Sequence, residues 1–287
     1  MAAVPPPRLI VNADDLGFSE GVDRAIFAGH DRGIVTSASL MATGASFEHA
    51  VRGAFERPRL GVGVHLVLHD DLPVSEPRAV PSLVGPAGRF RPLREAVRAL
   101  LFGRVDEREV ELEYAAQIQR VLAAGVTPTH LDSHCHLHAL PSVGPIVHRL
   151  GERFGIACAR EPEASSWSDF RAAPLGRYPL ALLISASQRF TRRRIVNGLR
   201  APDRFLGLVK SGALDEDWLV RAIEALEPGR ITELMVHPGD DEQAFAGVAD
   251  HGAAVRRREL EAITAPRVLE AVRRCGVELV DYRALLT

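Results

Sequence analysis

The 287-residue chain is poor in lysine, in cysteine and in long apolar runs. Lys210 is the only lysine among 35 basic residues, which we attribute to genome composition rather than to mechanism. The cysteines, Cys135, Cys158 and Cys275, are odd in number and far apart, and none belongs to a CxxC pair. This usage argues against a disulfide framework and favours a reducing compartment.

The sequence also shows neither a predicted membrane span nor the pattern of a signal peptide. The longest strongly apolar stretch, around 180–186, is much shorter than the roughly 20 residues that span a bilayer. Residues 1–7 lack the charged start and apolar core of a signal peptide, and their prolines predict a disordered lead. We therefore expect a cytoplasmic protein. The formal net charge of −2 gives no overall basic field, so nucleic acid is not an expected partner.

Short apolar runs alternate with helical patterns along the rest of the chain. The runs predict strands at 8–12, 35–42, 60–68, 156–159, 231–237 and 277–282. Helical periodicity between them includes one long region broken near Gly103 and another interrupted at Pro266. The alternation predicts mainly parallel strands in a barrel or an open sheet. We expect a single domain over 8–287, with an irregular, arginine-rich insertion at about 162–212.

The segment Thr129–His138 contains four of the eleven histidines and one aspartate. It follows a short apolar approach that could form a buried strand. Because imidazole and carboxylate are common metal ligands, the cluster favours a metal site and a hydrolase. In an extended segment His134, His136 and His138 would share a face. At least one histidine of the cluster is expected to be structural, and the pattern does not say which.

Three other polar groups lie where predicted strands end. They are the Asp14–Asp15 pair, His65 and His237. Taken singly, each has an ordinary structural explanation: Asp14–Asp15 can precede a helix, His65 can be a hydrogen-bonded core residue, and His237 can cap a turn. Ligands of α/β folds gather at the carboxyl ends of the strands. Together with the histidine cluster, four predicted strands end in Asp or His side chains. We therefore predict that these side chains form one shared site.

The arginine-rich stretch Arg189–Arg204 is most simply a solvated face. Its functional interpretation is contact with phosphate, an anionic substrate or anionic lipid headgroups. The sequence thus leaves open a peripheral membrane contact, and it also leaves open a homodimer.

Five motifs, taken in order, resemble the YdjC-like carbohydrate deacetylases. They are Leu9–Gly17, Gly33–Met41, Gly63–Leu66, Thr129–His138 and Met235–Gly239. The resemblance runs from about residue 8 to residue 285. That family includes chitooligosaccharide deacetylases and a hopanoid-biosynthesis-associated branch.

The resemblance implies an α/β fold, an irregular, distorted TIM-like (β/α) barrel, with the active site at the carboxyl-terminal face. It implies that Asp15, His65 and His134 bind one divalent metal ion, zinc or magnesium. Asp14 would be the general base and His237 the general acid.

Three further residues, Asp132, His136 and His138, would support these groups or bind substrate. The implied reaction is metal-dependent hydrolysis of the acetyl group from an N-acetylated sugar or a glycolipid. Asp132-Ser133-His134 is similar to the chitooligosaccharide branch, whereas Asp203–Gly212 is similar to the hopanoid-associated branch. The alternatives are a metal-dependent amidohydrolase or phosphoesterase on a related barrel, and a non-catalytic sugar-binding protein.

Overall fold

The computed structural model describes residues 4–163, 178–193, 198–245 and 252–287. Its strands are β1 Arg8–Leu16, β2 Ser37–Leu40, β3 Gly61–Leu66, β4 Leu131–Ser133, β5 Arg204–Leu206, β6 Ile231–Val236 and β7 Glu278–Leu279. They form one sheet in the order β4-β3-β2-β1-β6-β5, and β7 pairs with the start of β1. All these pairings are parallel, as the strand–helix alternation predicts.

Helices connect the strands and cover the outside of the sheet. They are α1 Glu20–Arg32, α2 Phe47–Phe55, α3 Leu93–Leu101, α4 Glu107–Ala123, α5 Gly144–Phe154, α6 Tyr178–Arg192, α7 Glu216–Glu224, α8 Ala253–Ile263 and α9 Pro266–Arg274. The predicted breaks are confirmed. Gly103 has a φ of 64° after α3, and Pro266 occupies the first turn of α9, where a missing N–H costs nothing.

Single bridges bend the sheet toward closure. Leu131 of β4 bridges Ala159, and Cys158 bridges Arg200, just before β5 at the opposite edge. The result is the irregular barrel that the family resemblance implied. The predicted strand 156–159 is reduced to these bridges. The predicted strand 277–282 shrinks to β7, because a short 3₁₀ helix, Tyr282–Leu285, begins behind the Asp281 cap.

The barrel interior is layered. An apolar plug of Ile10, Cys158, Ile231 and Tyr282 fills its amino-terminal end. Moving along β1 and β6 with the period of two that places residues on one face, Ile10 gives way to Asn12 and Asp14, and Ile231 to Glu233. The apolar end therefore leads into a buried polar layer, which carries the candidate site at the carboxyl ends of the strands.

The stretch predicted to be irregular, 162–212, contains the 15-residue helix α6. Residues 164–177 and 194–197 of that stretch lie outside the described residues, as do residues 1–3 of the predicted disordered lead. Within that lead, the carbonyls of Pro5 and Pro7 accept hydrogen bonds from the N–H groups of Gly229 and Glu278. In the parts of the chain that the structure describes, none of the helices is long and apolar enough to cross a membrane.

Candidate active site

A β-bulge places both aspartates of β1 in the site. The register with β2 slips between Ala13 and Leu16, and Asp15 adopts the left-handed region with a φ of 69°. In a regular strand, neighbouring side chains would point to opposite faces. The bulge turns the second carboxylate instead, so that Asp14 and Asp15 are both buried within the barrel mouth.

Three ligand-type atoms converge beside this bulge. Asp15 Oδ1 lies 3.4 Å from His65 Nε2 and 3.1 Å from His134 Nδ1, and the two imidazole nitrogens are 3.3 Å apart. Ligands bound about 2.1 Å from one ion are separated by roughly 3.0–3.4 Å in octahedral or tetrahedral geometry. Asp15 Oδ1 is buried and makes no hydrogen bond of good geometry. The three atoms therefore fit a shared divalent ion.

His65 is oriented by Asp132, its neighbour across the β3–β4 register. His65 Nδ1 lies 2.8 Å from Asp132 Oδ1, which favours a proton on Nδ1 and turns Nε2 toward the cluster. Burial opposes a charged imidazole, but Asp132 and Asp15 outweigh it and raise the pKa of His65 to about 10. A raised pKa of this kind indicates a negative site that favours a cation.

Arg160 lies at the centre of the polar layer and is 1% exposed. Its guanidinium donates two hydrogen bonds of 2.7 Å to the carboxylate of Asp14, and its Nε donates at 2.8 Å to Glu233. A third carboxylate, Asp132, lies 2.9 Å from it. Asn12 adds a 2.9 Å bond to Asp14. One buried cation thus fixes the orientation of three carboxylates.

Helix α8 reaches the site from the far end of the chain. Arg256 donates to Asp15 Oδ2 at 2.5 Å, on the side of that carboxylate away from the histidines. Glu259, one turn later, accepts the backbone N–H of His237 at 2.6 Å. The imidazole of His237 is 12% exposed, and its Nε2 lies 3.9 Å from Asp14 Oδ2. His237 thus stands beside Asp14 at the rim.

The histidine cluster is not extended, so His134, His136 and His138 do not share a face. After β4 the chain enters a 3₁₀ segment, His134–Ala139, with Cys135 and His136 at φ of 54° and 57°. This kink sends the three rings in different directions. His134 faces Asp15, His136 packs edge-on against Phe205, and His138 bonds Ser133 Oγ through Nδ1 at 2.6 Å.

The other histidines of the cluster are held neutral. Burial lowers the pKa of His138 to about 3 and that of His136 well below its usual range. His130 stacks on Tyr282 with ring centroids 3.8 Å apart, and burial lowers its pKa to about 3 as well. His130 is therefore the structural histidine that the cluster was expected to contain.

The sequence patterns did not indicate Arg160, Glu233, Arg256 or Glu259. Arg160 directly follows the apolar run 156–159, so the argument from strand ends applies to it as well. Glu233 lies within a strand and the other two lie on a helix, where a charged residue is ordinarily read as solvated.

Comparison with known proteins relates the chain to one family. The sequence profile of the YdjC-like protein family matches residues 8–274. The chain is 35% identical to a carbohydrate deacetylase of Brevibacillus brevis over 278 residues, covering 97% of this chain and 99% of that protein. It is 33% identical to a carbohydrate deacetylase of Geobacillus stearothermophilus, covering 97% and 98%.

A solved structure from Enterococcus faecalis V583, provisionally assigned to cellobiose-phosphate cleavage, has a similar fold. The TM-score is 0.80 at 26% identity, and the match covers 98% of this chain and 99% of that one. The similarity therefore extends over the whole barrel.

Proposed function

The chain belongs to the YdjC-like protein family, and we propose that it is a metal-dependent carbohydrate N-deacetylase that releases acetate from an N-acetylated amino sugar or its glycoconjugate. The observation that carries the proposal is the convergence of Asp14, Asp15, His65, His134 and His237 at one end of the barrel. Relatives that match nearly the full chain are named carbohydrate deacetylases.

Asp15, His65 and His134 would hold the metal ion. Two imidazoles and a carboxylate suit zinc and also accommodate magnesium. When bound, a divalent ion polarises the acetyl carbonyl and lowers the pKa of bound water. Asp132 keeps Nε2 of His65 directed at the cluster, and Arg256 donates a hydrogen bond to the second oxygen of Asp15.

Asp14 is the proposed general base. It is 2% exposed, and one of its carboxylate oxygens lies within 4.8 Å of a ring nitrogen of His65. Neither of its oxygens is among the three atoms that converge beside the bulge. Arg160 and Asn12 fix its carboxylate, so its lone pairs point in set directions. A carboxylate so placed can take a proton from water as the water attacks the acetyl carbon.

His237 is the proposed general acid. An amine leaves an amide only when it is protonated, so a donor must stand near the nitrogen. The His237 ring is at the rim, 3.9 Å from Asp14, and Glu259 holds its backbone. It can supply that proton as the C–N bond breaks, giving acetate and the free amino sugar. His136 and His138, which are neutral and deeper in the barrel, support the segment that carries His134.

The proposal is tested by acetate release from N-acetylglucosamine, chitobiose and N-acetylglucosaminyl lipids, with zinc or magnesium added. Asp14→Asn should abolish acetate release while the metal content, measured by elemental analysis, stays that of the wild type. His134→Ala should lower both, because a ligand is lost. Both variants should keep the wild-type circular dichroism spectrum.

Three results would contradict these assignments. Turnover by Asp14→Asn would remove the base role, and unchanged metal stoichiometry in His134→Ala would remove that ligand. Release from no substrate, with metal bound, would favour a sugar-binding protein or a different hydrolase.

A further inference from the structure

Helix α6 is amphipathic in the opposite sense to an ordinary surface helix. Over residues 182–192, where the structure describes its side chains, the buried residues are polar: Ser185, Gln188 and Thr191 are 7%, 3% and 1% exposed. Its solvent-facing residues include Leu182 and Leu183, at 56% and 55% exposed. A surface helix normally buries its apolar stripe and exposes its polar one.

The polar side of α6 is fixed to the barrel by specific bonds. The hydroxyl groups of Ser187 and Thr191 both donate to the carbonyl of Ala139 at 2.9 Å. Thr191 also packs so closely on Gly144 that a Cβ there would lie 2.2 Å from its methyl group. Rotation of α6 to bury the leucines would break both bonds, so the outward apolar side is built into the fold.

Phe190 and Ala186 extend the same exposed side. Phe190 is 46% exposed, and Leu182, Ala186 and Phe190 are spaced four residues apart on the helix. We call Leu182, Leu183, Ala186 and Phe190 the outer face of α6. Contiguous exposed apolar side chains of this kind mark an interaction surface.

Exposed arginines flank this face at the carboxyl-terminal end of α6. They are Arg189, Arg192 and Arg193, and the sequence has no acidic residue from residue 170 to residue 202. Arg189 and Arg192 pair with Glu163 and Glu161, yet their side chains are still 63% and 67% exposed. The chain as a whole has a net charge of −2, so the positive charge is local.

We propose that the outer face of α6 docks on an anionic lipid bilayer. Apolar side chains flanked by arginines match the interfacial region, where leucine and phenylalanine enter the acyl boundary and guanidinium groups meet lipid phosphates. A two-fold dimer through the same face would bring two such arginine-rich segments together, which like-charge repulsion opposes. Nucleic acid would satisfy the arginines and leave the leucines in water.

Helix α6 lies between its outer face and the segment that leads to the candidate site. Ala139, which accepts both α6 hydroxyl groups, ends the 3₁₀ segment that begins at His134. A bilayer seated on the outer face of α6 would therefore lie one helix away from the segment that carries a proposed metal ligand. The docking inference itself stands on α6 alone and does not depend on the deacetylase activity.

The test is co-sedimentation of the full chain with phosphatidylcholine vesicles, with and without phosphatidylglycerol, at low salt. We expect binding to the anionic vesicles, weaker binding to the neutral ones, and a loss of affinity in about 0.5 M salt. Leu182→Ser/Leu183→Ser should weaken binding by at least about tenfold, because two inserting side chains are lost. Phe102→Ser, at another exposed aromatic (69% exposed), is the matched control and should bind as the wild type does.

Two outcomes would overturn the proposal. One is no binding to anionic vesicles at low salt, or equal binding by wild type and the double variant. The other is a concentration-dependent dimer, seen by sedimentation velocity without lipid, that the double variant abolishes; this would assign the face to a second copy. Unchanged thermal melting of the double variant excludes misfolding, since both leucines lie on the surface.

Discussion

Replacing Arg160 by methionine tests whether one buried cation holds the polar layer together. The substitution keeps an apolar chain of similar reach and removes the charge. Asp14, Asp132 and Glu233 would then be buried without their guanidinium. Removing one member of a buried ion pair costs about 3–5 kcal/mol, against a total stability of about 5–15 kcal/mol.

We expect Arg160→Met to melt about 6–20 °C below the wild type at pH 7, since about 1 kcal/mol shifts the melting temperature of a chain this large by about 2–4 °C. The difference should depend on pH. Burial alone would raise the pKa of Asp132, but Arg160 and His65 hold it well below its usual range. A carboxyl group with a depressed folded pKa stabilises the fold above its unfolded pKa, and this contribution is lost as pH falls.

In the variant, burial without the guanidinium raises the pKa of these carboxyl groups, so they take up protons and the deficit should shrink as pH falls from 7 toward 4. The wild type keeps the contribution of Asp132 until the pH falls below about 4. Thermal melting by circular dichroism at pH 7 and pH 5 measures both effects. Arg149→Met is the control, because Arg149 pairs with Glu111 at the surface and such pairs are worth about 0–1 kcal/mol. A variant that melts like the wild type at pH 7, or whose deficit is the same at both pH values, would refute the central role of Arg160.

Two further substitutions test the packing around the site. Burial raises the pKa of Glu259 to about 7, so its contribution to stability is present below about pH 4.5 and is lost as pH rises through 7. Glu259→Gln should therefore flatten the fall in stability between pH 5 and pH 8, measured by urea unfolding. The control Glu261→Gln, at an exposed position, should not flatten it. In Gly63→Ala the new Cβ would lie 2.3 Å from the His130 ring, so we expect the free energy of unfolding to fall by about 1–3 kcal/mol. In the control Gly85→Ala the nearest atom to the new Cβ is 3.9 Å away, so stability should change little. Equal losses of stability in the two variants would contradict the steric argument.

The parts of the fold that could be predicted are those with local signals. Apolar runs located β1, β3 and β6, and helical periodicity with a glycine or a proline break separated α3 from α4 and α8 from α9. Helix α6 lacked that signal, because its buried side is polar, and an inverted pattern is not recognised as a surface helix. The predicted strand 277–282 is longer than β7 for a different reason: Asp281 divides its apolar run and caps a 3₁₀ turn.

The candidate site also has features that could be predicted from the sequence and features that could not. Asp14, Asp15, His65, His134 and His237 could be placed together because each lies at a strand end, where topology alone brings distant residues close. The orientations could not be predicted. A bulge at Asp15 and left-handed backbone at Cys135 and His136 are local exceptions to strand geometry, stabilised by contacts with residues far along the chain.

Charge balance explains why those distant residues matter. Arg160 and Arg256 are ion-paired with four buried carboxylates, those of Asp14, Asp132, Glu233 and Asp15. When Glu233, whose pKa burial raises to about 7, is ionised and His65 has given up its proton to a bound metal ion, four carboxylates against two guanidinium groups leave two negative charges, the complement of one divalent cation. With fewer arginines the carboxylates could not all be buried, and with more the site would repel a metal ion. The two arginines therefore set the charge of the site, while Asp15, His65 and His134 supply its ligand-type atoms, and only the meeting of these three residues could be predicted from strand ends.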